Sequence, residues 1–150
     1  MPEKLQIPYV PPAEYDLTIV AEKKDVALFF VGLVAAGTPF SVLLDHNGST
    51  ASCIGLFGLG VAGEPSTFFA GEAFSKTAPS TAVCSVRRTG VVVTVDKRKI
   101  VEYRGDCRKL PMDPDWKVPD VKALAIGSNS PYHVSKIVLT PVSGQGRRLR

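Results

Sequence analysis

Aromatic and carboxylate side chains come together in one proline-rich segment of the C-terminal half. The only tryptophan of the chain follows two aspartates there, and two tyrosines and an asparagine stand in the segments on either side. A flat ring can pack against the apolar face of a sugar, while carboxylates and amides bind its hydroxyl groups. We therefore predict a small-ligand site, suited to carbohydrate, near the loop at 106–119. The predicted ligand-binding residues are Trp116, Asp113, Asp115, Asn129, Tyr132 and Tyr103.

Trp116 has a second interpretation. A single large ring under a proline-rich loop is also typical of a core plug, which would be buried rather than offered to a ligand. The sequence leaves both interpretations open.

Most glycoside hydrolases require a pair of carboxyl groups that flank the scissile bond. The two groups must lie about 5–5.5 Å apart for retaining chemistry and about 6.5–9.5 Å apart for inverting chemistry. Only Glu14 with Asp16 and Asp113 with Asp115 have i, i+2 spacing, and both pairs fall at loop or strand-start positions. Such charges are expected to be solvated, so we predict no catalytic residue and favour a protein that is not an enzyme.

Histidine and metal chemistry receive little support. His46 stands in an Asn-Gly turn and His133 at a strand start, and neither has a partner at the spacing of a nucleophile elbow or a zinc site. Calcium could use four oxygen-bearing side chains, but no twelve-residue calcium loop surrounds them, so we predict no metal and no cofactor. Those four residues are Asp45, Asn47, Asp113 and Asp115.

Three cysteines, Cys53, Cys84 and Cys107, form an odd set without a Cys-x-x-Cys pair. This number favours buried free thiols over a disulfide framework or a zinc knuckle. Cys84 lies in an apolar alternating run and should pack as a small hydrophobe. Cys107 has charged neighbours and should be more exposed.

The net charge of +4 does not indicate a nucleic-acid partner. Much of the excess lies at 97–99, which resembles a turn, and in the tail at Arg147, Arg148 and Arg150. No aromatic residues are interleaved with these cations as stacking platforms. The Arg-Gly-Asp tripeptide at 104–106 matches a short integrin-binding motif, but glycine and aspartate also form ordinary turns, and we interpret it as one.

A chain of 150 residues fits one domain, here 1–150, with an extended N-terminal arm at 1–13 and a basic C-terminal tail at 144–150. The N-terminus has no basic region followed by an apolar stretch and a cleavage site, so no secretory signal is indicated. The longest apolar run, 26–36, is too short to span a bilayer, and we expect no membrane partner. The compartment stays unknown.

Twelve prolines and thirteen glycines leave no room for long helices. The runs between them are short and rich in Val, Ile, Phe and Thr, which is typical of strands. The run 15–22 alternates apolar and polar residues, which predicts a half-buried strand, and 26–34 is apolar throughout, which predicts a central strand covered on both faces. We expect at least about eight strands and no helix longer than about two turns.

Further strands are predicted at 39–45, 53–59, 123–127 and 132–140, with a loop at 62–79. The segments 81–88, 91–96 and 100–103 are separated by turn residues and predict a three-stranded meander. Roughly ten short strands with turns between them indicate two packed antiparallel sheets.

The C-terminal third carries a recognisable order of segments: VVVTVDKRKIVEY at 91–103, LAIGS at 124–128 and VSKIVL at 134–139. This order resembles concanavalin A-like jelly rolls of the laminin G type and the related bacterial 3-keto-disaccharide hydrolase-like modules. The resemblance spans 16–143 in strand order, and it departs at Asp96-Lys97, where the pattern has an Asp-Gly turn. It implies a lectin-like sandwich of the kind appended to large multidomain bacterial proteins.

These observations predict an all-β, two-sheet antiparallel sandwich of the concanavalin A-like jelly-roll type. We expect a non-catalytic binding module, foremost for carbohydrate, within or beside a larger bacterial protein. A protein-interaction or structural module is the first alternative, and a divergent glycoside-directed enzyme is the second, because one fold hosts many activities.

Overall fold

The structure is a computed structural model that describes residues 3–25, 28–45, 51–54, 69–110, 112, 118–129 and 131–149. Thirteen β-strands run through these ranges, and their helical content is a single 3-10 turn at Cys107–Lys109. The prediction of an all-β chain with many short strands is confirmed. The strands are β1 Glu3–Ile7, β2 Tyr9–Val10, β3 Glu14–Lys23, β4 Phe29–Ala35, β5 Thr38–Asp45, β6 Ala51–Ile54, β7 Phe69–Ala70, β8 Ser80–Arg87, β9 Gly90–Val95, β10 Arg98–Arg104, β11 Leu124–Ser128, β12 Tyr132–Ser143 and β13 Arg147–Arg148.

Two antiparallel sheets face each other and enclose the core. The six-stranded sheet has the order β1-β11-β4-β5-β6-β7, and the five-stranded sheet has the order β10-β9-β8-β3-β12. A short ribbon pairs β2 with β13. The two-sheet antiparallel sandwich predicted from the sequence is confirmed, and the meander β8-β9-β10 lies at one side of the five-stranded sheet as expected.

Strand β3 shows how a period of two builds the core. Burial alternates strictly from Glu14 to Lys23, and inward residues such as Leu17 and Ile19 are at most 1% exposed. The Tyr15 hydroxyl donates to the Val34 carbonyl at 2.8 Å and accepts from the Val34 amide at 3.0 Å. Since Tyr15 and Val34 belong to different sheets, this pair of hydrogen bonds ties the two layers together.

Strand β4 lies between β11 and β5, and all seven of its residues are buried. The predicted central strand at 26–34 is therefore observed at Phe29–Ala35; residues 26 and 27 lie outside the described ranges. Residues on one face of β4 join the core between the sheets, while Phe30 on the other face belongs to a second apolar cluster.

The second cluster covers the outer face of the six-stranded sheet. Its buried members are Leu28, Phe30, Leu43, Cys53 and Ala125, and Met112 and Val118 pack against them. Met112 and Val118, which follow β10 in the chain, therefore lie on this face, which is apolar and covered in the part of the chain that the structure describes. A strand that is apolar on both faces, such as β4, is the sequence signature of this arrangement.

The described parts of both chain ends pair as strands. Strand β1 pairs with β11, and Arg147 and Arg148 pair with Val10 and Tyr9. The structure thus places the described residues of the N-terminal arm and the basic tail against the sandwich. Strand β7 also pairs with β6 inside the stretch 62–79 that the sequence assigns to a loop, because two residues are too few to show a period.

All three cysteines are free and buried, which confirms the expected buried thiols. Cys107 is only 2% exposed, so the expectation that it is more exposed is wrong. The 3-10 turn directs its side chain to the core and leaves Arg108 and Lys109 in solvent. Within the described ranges, no helix has the length and apolar character needed to cross a bilayer.

Candidate functional site

The predicted ligand residues do not all meet in one place. Trp116, Asp113 and Asp115 lie outside the described residues. Asn129 is exposed, and its Oδ1 accepts a hydrogen bond from the Leu28 amide at 2.9 Å. Asn129 therefore fixes the chain just before β4.

Tyr132 is half-buried in an aromatic cluster. Its ring centroid lies 4.9 Å from that of Phe29 and 5.5 Å from that of Phe74. Burial, together with the negative charges of Asp45 and Glu72, raises the pKa of Tyr132. The ring closes one end of the core, next to Asn129.

Tyr103 lies far from Tyr132. The two residues belong to opposite edge strands of the five-stranded sheet, β10 and β12. Through the registers Tyr103 is level with Tyr15 of β3, whereas Tyr132 is level with Lys23. Eight residues of an extended strand span about 26 Å, so the structure brings Asn129 and Tyr132 together and places Tyr103 at the other end.

At the end where Tyr103 lies, the structure holds an open cavity of about 670 Å³. We call it the arginine-lined cavity. Its volume is within the usual range of about 300–1,000 Å³ for small-ligand pockets. It lies at the β4–β5 turn, the β8–β9 turn and the 3-10 turn, and its lining residues are Ala13, Ala35, Ala36, Arg87, Arg88, Thr89, Gly105, Asp106, Cys107 and Arg108.

Small residues keep this space open. Three alanines, Ala13, Ala35 and Ala36, line it with methyl groups only. Gly105 has φ +148°, and a Cβ there would lie 2.9 Å from the Tyr103 hydroxyl oxygen. Glycine is therefore required at the point where the rim approaches the Tyr103 ring.

Arg87 is a fixed donor on the wall of the cavity. Its Nη1 donates to the carbonyls of Tyr15 and Val86, each at 3.0 Å. Its Nη2 lies 2.9 Å from Asp16 Oδ1, and the side chain remains 35% exposed. These contacts hold the guanidinium in one orientation before any ligand arrives.

Asp106 and Arg108 form a second fixed group on the rim. Asp106 caps the 3-10 turn by accepting from the Arg108 amide at 3.0 Å, and its carboxylate also accepts from Arg108 Nε and Nη2, each at 2.9 Å. These bonds lower the pKa of Asp106 to about 2. Asp106 is therefore a carboxylate at any physiological pH.

Arg88 differs from the other two arginines. Its backbone amide donates to Glu14 Oε2 at 3.0 Å, and Ser143 Oγ donates to Glu14 Oε1 at 2.7 Å. Among the described residues, no carboxylate lies within 4.0 Å of the Arg88 guanidinium. This exposed cation lines the cavity without an ion-pair partner in that part of the chain.

Cys107 lines the cavity but does not offer a reactive thiol. Its Sγ lies 4.0 Å from the Arg87 carbonyl oxygen. Burial, followed by the charge of Asp106, raises the pKa of Cys107 to about 11. Since the thiolate is the nucleophile, a thiol that stays protonated at neutral pH has low reactivity.

The opposite end of the sandwich holds a buried ionic group that we call the Lys23 cluster, comprising Lys23, Asp45 and Glu72. Lys23 Nζ lies 3.1 Å from Asp45 Oδ2 and 2.9 Å from Glu72 Oε2. The Asp45 carboxylate also accepts from the amides of Ala73 at 2.5 Å and Phe74 at 3.0 Å. The Asp45 carboxylate therefore connects the two sheets to each other and to the segment after β7. This role is structural.

The remaining carboxylates and histidines considered as catalytic or metal-binding candidates do not form a reactive group among the described residues. Glu14 and Asp16 share the outer face of β3 and are engaged by Arg88, Ser143 and Arg87 as described. His133 is exposed at the start of β12, while His46 and Asn47 lie outside the described residues. Within the described ranges, no three metal-ligating side chains are grouped so that they could hold an ion.

The arginines of the cavity are not among the ligand residues predicted from the sequence. A signal was present, since Arg87-Arg88-Thr89 is a basic turn between the first two strands of the predicted meander and the run 104–109 is a basic segment after its third strand. The Arg-Gly-Asp tripeptide does form a turn, as we interpreted it, but this turn lies on the cavity rim. Functional interest lies in the arginines gathered there rather than in the tripeptide.

Comparison with known proteins finds likeness at the level of structure. No protein-family profile matches the chain. No curated protein matches it either. Among solved structures, the galectin LEC-6 of Caenorhabditis elegans superposes with a TM-score of 0.56 at 10% identity, over 93% of this chain and 91% of that one.

Two further structures share the architecture. A doubly substituted human galectin-16 has a TM-score of 0.57 at 11% identity and covers 93% of this chain and 95% of its own. The carbohydrate-binding module CBM66 from Bacillus subtilis has a TM-score of 0.53 at 5% identity and covers 85% of this chain and 75% of its own. At such identities the likeness establishes the fold alone, a two-sheet antiparallel β-sandwich.

Proposed function

We propose that this domain is a non-catalytic binding module for carbohydrate, carried within or beside a larger bacterial protein. The observation that carries the proposal is the arginine-lined cavity, which combines fixed hydrogen-bond donors with a floor of small apolar groups. Binding sites for small ligands commonly pair a mostly apolar lining with a few oriented polar groups.

The cavity chemistry suits a sugar ring. Hydroxyl groups can accept hydrogen bonds from the guanidiniums of Arg87 and Arg88 and donate to the Asp106 carboxylate, which has acceptor capacity beyond its bonds to Arg108. The methyl groups of Ala35 and Ala36 can contact the C–H face of the ring. Arg87 and Asp106 are held by their own hydrogen bonds, which lowers the entropy cost of binding.

Two further considerations support the proposal. The Bacillus subtilis neighbour is by name a carbohydrate-binding module on the same type of sandwich. The order of segments at 91–139 resembles laminin G-type and 3-keto-disaccharide hydrolase-like modules, which favours a place in a multidomain bacterial protein. Against an enzyme, Glu14 is held by hydrogen bonds, Asp16 faces Arg87, and the Cys84 and Cys107 thiols stay protonated at neutral pH.

The test is a glycan array probed with the purified domain, followed by titration of the sugars that bind. We expect sugar binding that does not depend on added calcium. Arg88→Ala should weaken it at least about tenfold, because a hydrogen bond to a charged group contributes about 1.5–3 kcal/mol. The matched control is Arg104→Ala, since Arg104 is 84% exposed nearby but does not line the cavity.

Three outcomes bear on the proposal differently. An equal loss in both variants would point to a general effect of charge and remove the support from the cavity. If Trp116→Ala abolishes binding while Arg88→Ala does not, the sugar site is the loop at 106–119 instead. The emission of the single tryptophan reports on this directly, because a sugar stacked on Trp116 would change it. No sugar binding at all would overturn the proposed function.

A protein-interaction module is the second candidate, and exposed apolar side chains favour it. Ile137, Val138 and Val142 of β12 are 37%, 38% and 49% exposed. Ile137 also lines a groove of about 330 Å³ between β12 and the first strands. Exposed apolar surface of this kind can mark an interface. Sedimentation of the wild type and Val138→Lys would detect self-association, and concentration-independent monomers would count against an interface between copies.

A further inference from the structure

We infer that the arginine-lined cavity selects saccharides that carry an oxyanion, as a ring carboxylate or a sulfate ester, over the neutral forms of the same sugars. This inference rests on the proposed function and narrows it to a class of ligand.

The balance of charge on the cavity wall is the first support. Among the described residues, its lining includes three guanidiniums, of Arg87, Arg88 and Arg108, and one carboxylate, of Asp106. Arg108 is paired with Asp106, and Arg87 is paired with Asp16, which flanks the cavity without lining it. Glu14 also flanks the cavity and interacts with the Arg88 charge over a distance greater than 4.0 Å. An anionic group that enters the cavity therefore meets its strongest attraction at Arg88, the lining cation without a carboxylate within 4.0 Å among the described residues.

Arg88 supplies the second support. The Glu14 carboxylate nearest to it is bonded to the Arg88 amide and to the Ser143 hydroxyl. The Arg88 guanidinium is left without a carboxylate within 4.0 Å among the described residues. A planar guanidinium fork matches the two oxygens of a carboxylate or sulfate, and such charged hydrogen bonds are roughly twice as strong as neutral ones.

The cavity is also asymmetric in charge. Arg87 and Arg88 lie at the β8–β9 turn, whereas Asp106 is tied to Arg108 in the 3-10 turn. A ligand oxyanion is attracted to the first side and repelled by the carboxylate of the second. Sugar hydroxyls can donate to Asp106, so a ligand with an anionic group at one end and hydroxyls at the other fits both sides.

Position and size argue for a saccharide rather than a bare anion. The floor of Ala13, Ala35 and Ala36 gives a small inorganic ion nothing to contact, while a ring of C–H groups can bury apolar surface there. A volume of about 670 Å³ holds one or two sugar rings. The cavity opens to solvent, so we expect a preference of about tenfold rather than absolute discrimination.

The experiment is a calorimetric titration of the whole chain with glucose, galactose and mannose, their uronates, the uronate methyl esters, and their 6-sulfates. We expect the uronates or sulfates to bind about tenfold more tightly than the parent sugars and the methyl esters. Arg88→Ala should remove this preference, Arg88→Lys should keep part of it, and Arg104→Ala should leave it intact. Raising ionic strength from about 0.01 M to about 1 M should reduce the preference, because salt screens exposed charges.

The outcomes separate this inference from the proposed function. If neutral and anionic forms bind equally, the inference is overturned and the carbohydrate module stands. If none of the sugars or derivatives binds here or on the glycan array, both are overturned. If inorganic sulfate binds as tightly as the sugar sulfates and also depends on Arg88, the cavity is an anion site only, which overturns the inference and removes the cavity's support for the proposed function.

Discussion

Lys23 and Asp45 place two charges inside a sandwich whose other inward positions are mostly apolar. Removing charges from water is costly unless every charged atom finds partners. Asp45 meets this requirement through Lys23 and the amides of Ala73 and Phe74. The ion pair connects β3 of one sheet to β5 of the other and fixes the chain that follows β7.

Asp45→Ala should destabilise the domain by about 3–5 kcal/mol. The substitution removes the buried carboxylate that Lys23 pairs with, and it leaves the amides of Ala73 and Phe74 without their acceptor. Urea unfolding followed by circular dichroism measures this loss. The matched control is Lys76→Ala, which removes an exposed cation 3.8 Å from Glu72 in the same region. That exposed pair should contribute at most about 1 kcal/mol. Equal losses in the two variants would mean that burial of the Asp45 pair has no special weight.

The strand predicted at 15–22 stops one residue short of Lys23, which belongs to β3. Lys23 continues the inward series of Tyr15, Leu17, Ile19 and Ala21 by the period of two, so its burial could be predicted. Its partner could not, because Asp45 lies at the end of a strand in the other sheet and local pattern carries no information on pairing across layers. For the same reason Asp45 could be weighed as a calcium ligand, although the structure engages its carboxylate with protein donors.

Among the elements, the meander was the most predictable, and the cavity follows partly from it. In three consecutive antiparallel strands the end of the third returns to the turn between the first two. The Gly105 amide accordingly donates to the Thr89 carbonyl at 2.8 Å, which joins the two basic turns. The contribution of Ala35 and Ala36 comes from the opposite sheet and could not be inferred from the meander.

The distance between Tyr103 and Tyr132 illustrates what local pattern misses. Both lie in strands that the sequence predicted, and they are close enough along the chain to suggest one site. The strand order places β9, β8 and β3 between them. That order depends on which strands pair across long loops, and the alternation within a single strand does not determine it.

The β9–β10 turn should gain stability from a glycine. Asp96 and Lys97 have φ of +52° and +68°, and residues with a side chain pay about 1–2 kcal/mol in this region. Asp96 compensates by accepting from the Thr81 amide at 2.9 Å, while Lys97 is exposed. Lys97→Gly should therefore raise the free energy of unfolding by about 0.5–1 kcal/mol, after the greater freedom of glycine in the unfolded chain is subtracted.

The β4–β5 turn supplies the reverse control. Gly37 has φ +85°, and a Cβ there would meet no atom within 4 Å. Gly37→Ala should therefore lose stability, by about 1 kcal/mol, through backbone strain alone. Thermal unfolding of both variants tests whether Lys97→Gly melts at a higher temperature than the wild type and Gly37→Ala at a lower one. A Lys97→Gly variant that melts lower than the wild type would show that Lys97 makes a contact worth more than the strain.

For the molecule as a whole, the ionisable groups divide by location. Three half-buried carboxyl groups at the surface are held ionised by hydrogen bonds: the Arg88 amide lowers the pKa of Glu14, Lys24 that of Glu22, and Lys99 that of Glu102. Each of these carboxylates stabilises the folded state at pH values above its ordinary pKa of 4.5. That stabilisation is lost as the pH falls through the lowered pKa of the folded state.

The alkaline limit is set in the core. Burial raises the pKa of Cys84 from 9.0 to about 12, and it also raises the pKa of Tyr15 above its ordinary value of 10.0. The folded state keeps these protons where the unfolded chain releases them. Stability is therefore fully present below about pH 9 and is lost as the pH rises toward about 12, with the unfolded chain binding fewer protons.

This dependence can be measured by urea unfolding between about pH 8 and about pH 11, a window that begins below the ordinary Cys84 pKa of 9.0 and ends below its raised pKa of about 12. The free energy of unfolding should fall as the pH rises, and the slope gives the number of protons lost on unfolding. Cys84→Ala should lower stability at every pH but should flatten the slope, because the variant no longer releases the Cys84 proton. Arg104→Ala, which removes an exposed side chain, should leave the slope unchanged. Parallel curves for the wild type and Cys84→Ala would show that the Cys84 thiol ionises equally in both states, and thus that water reaches it in the folded core.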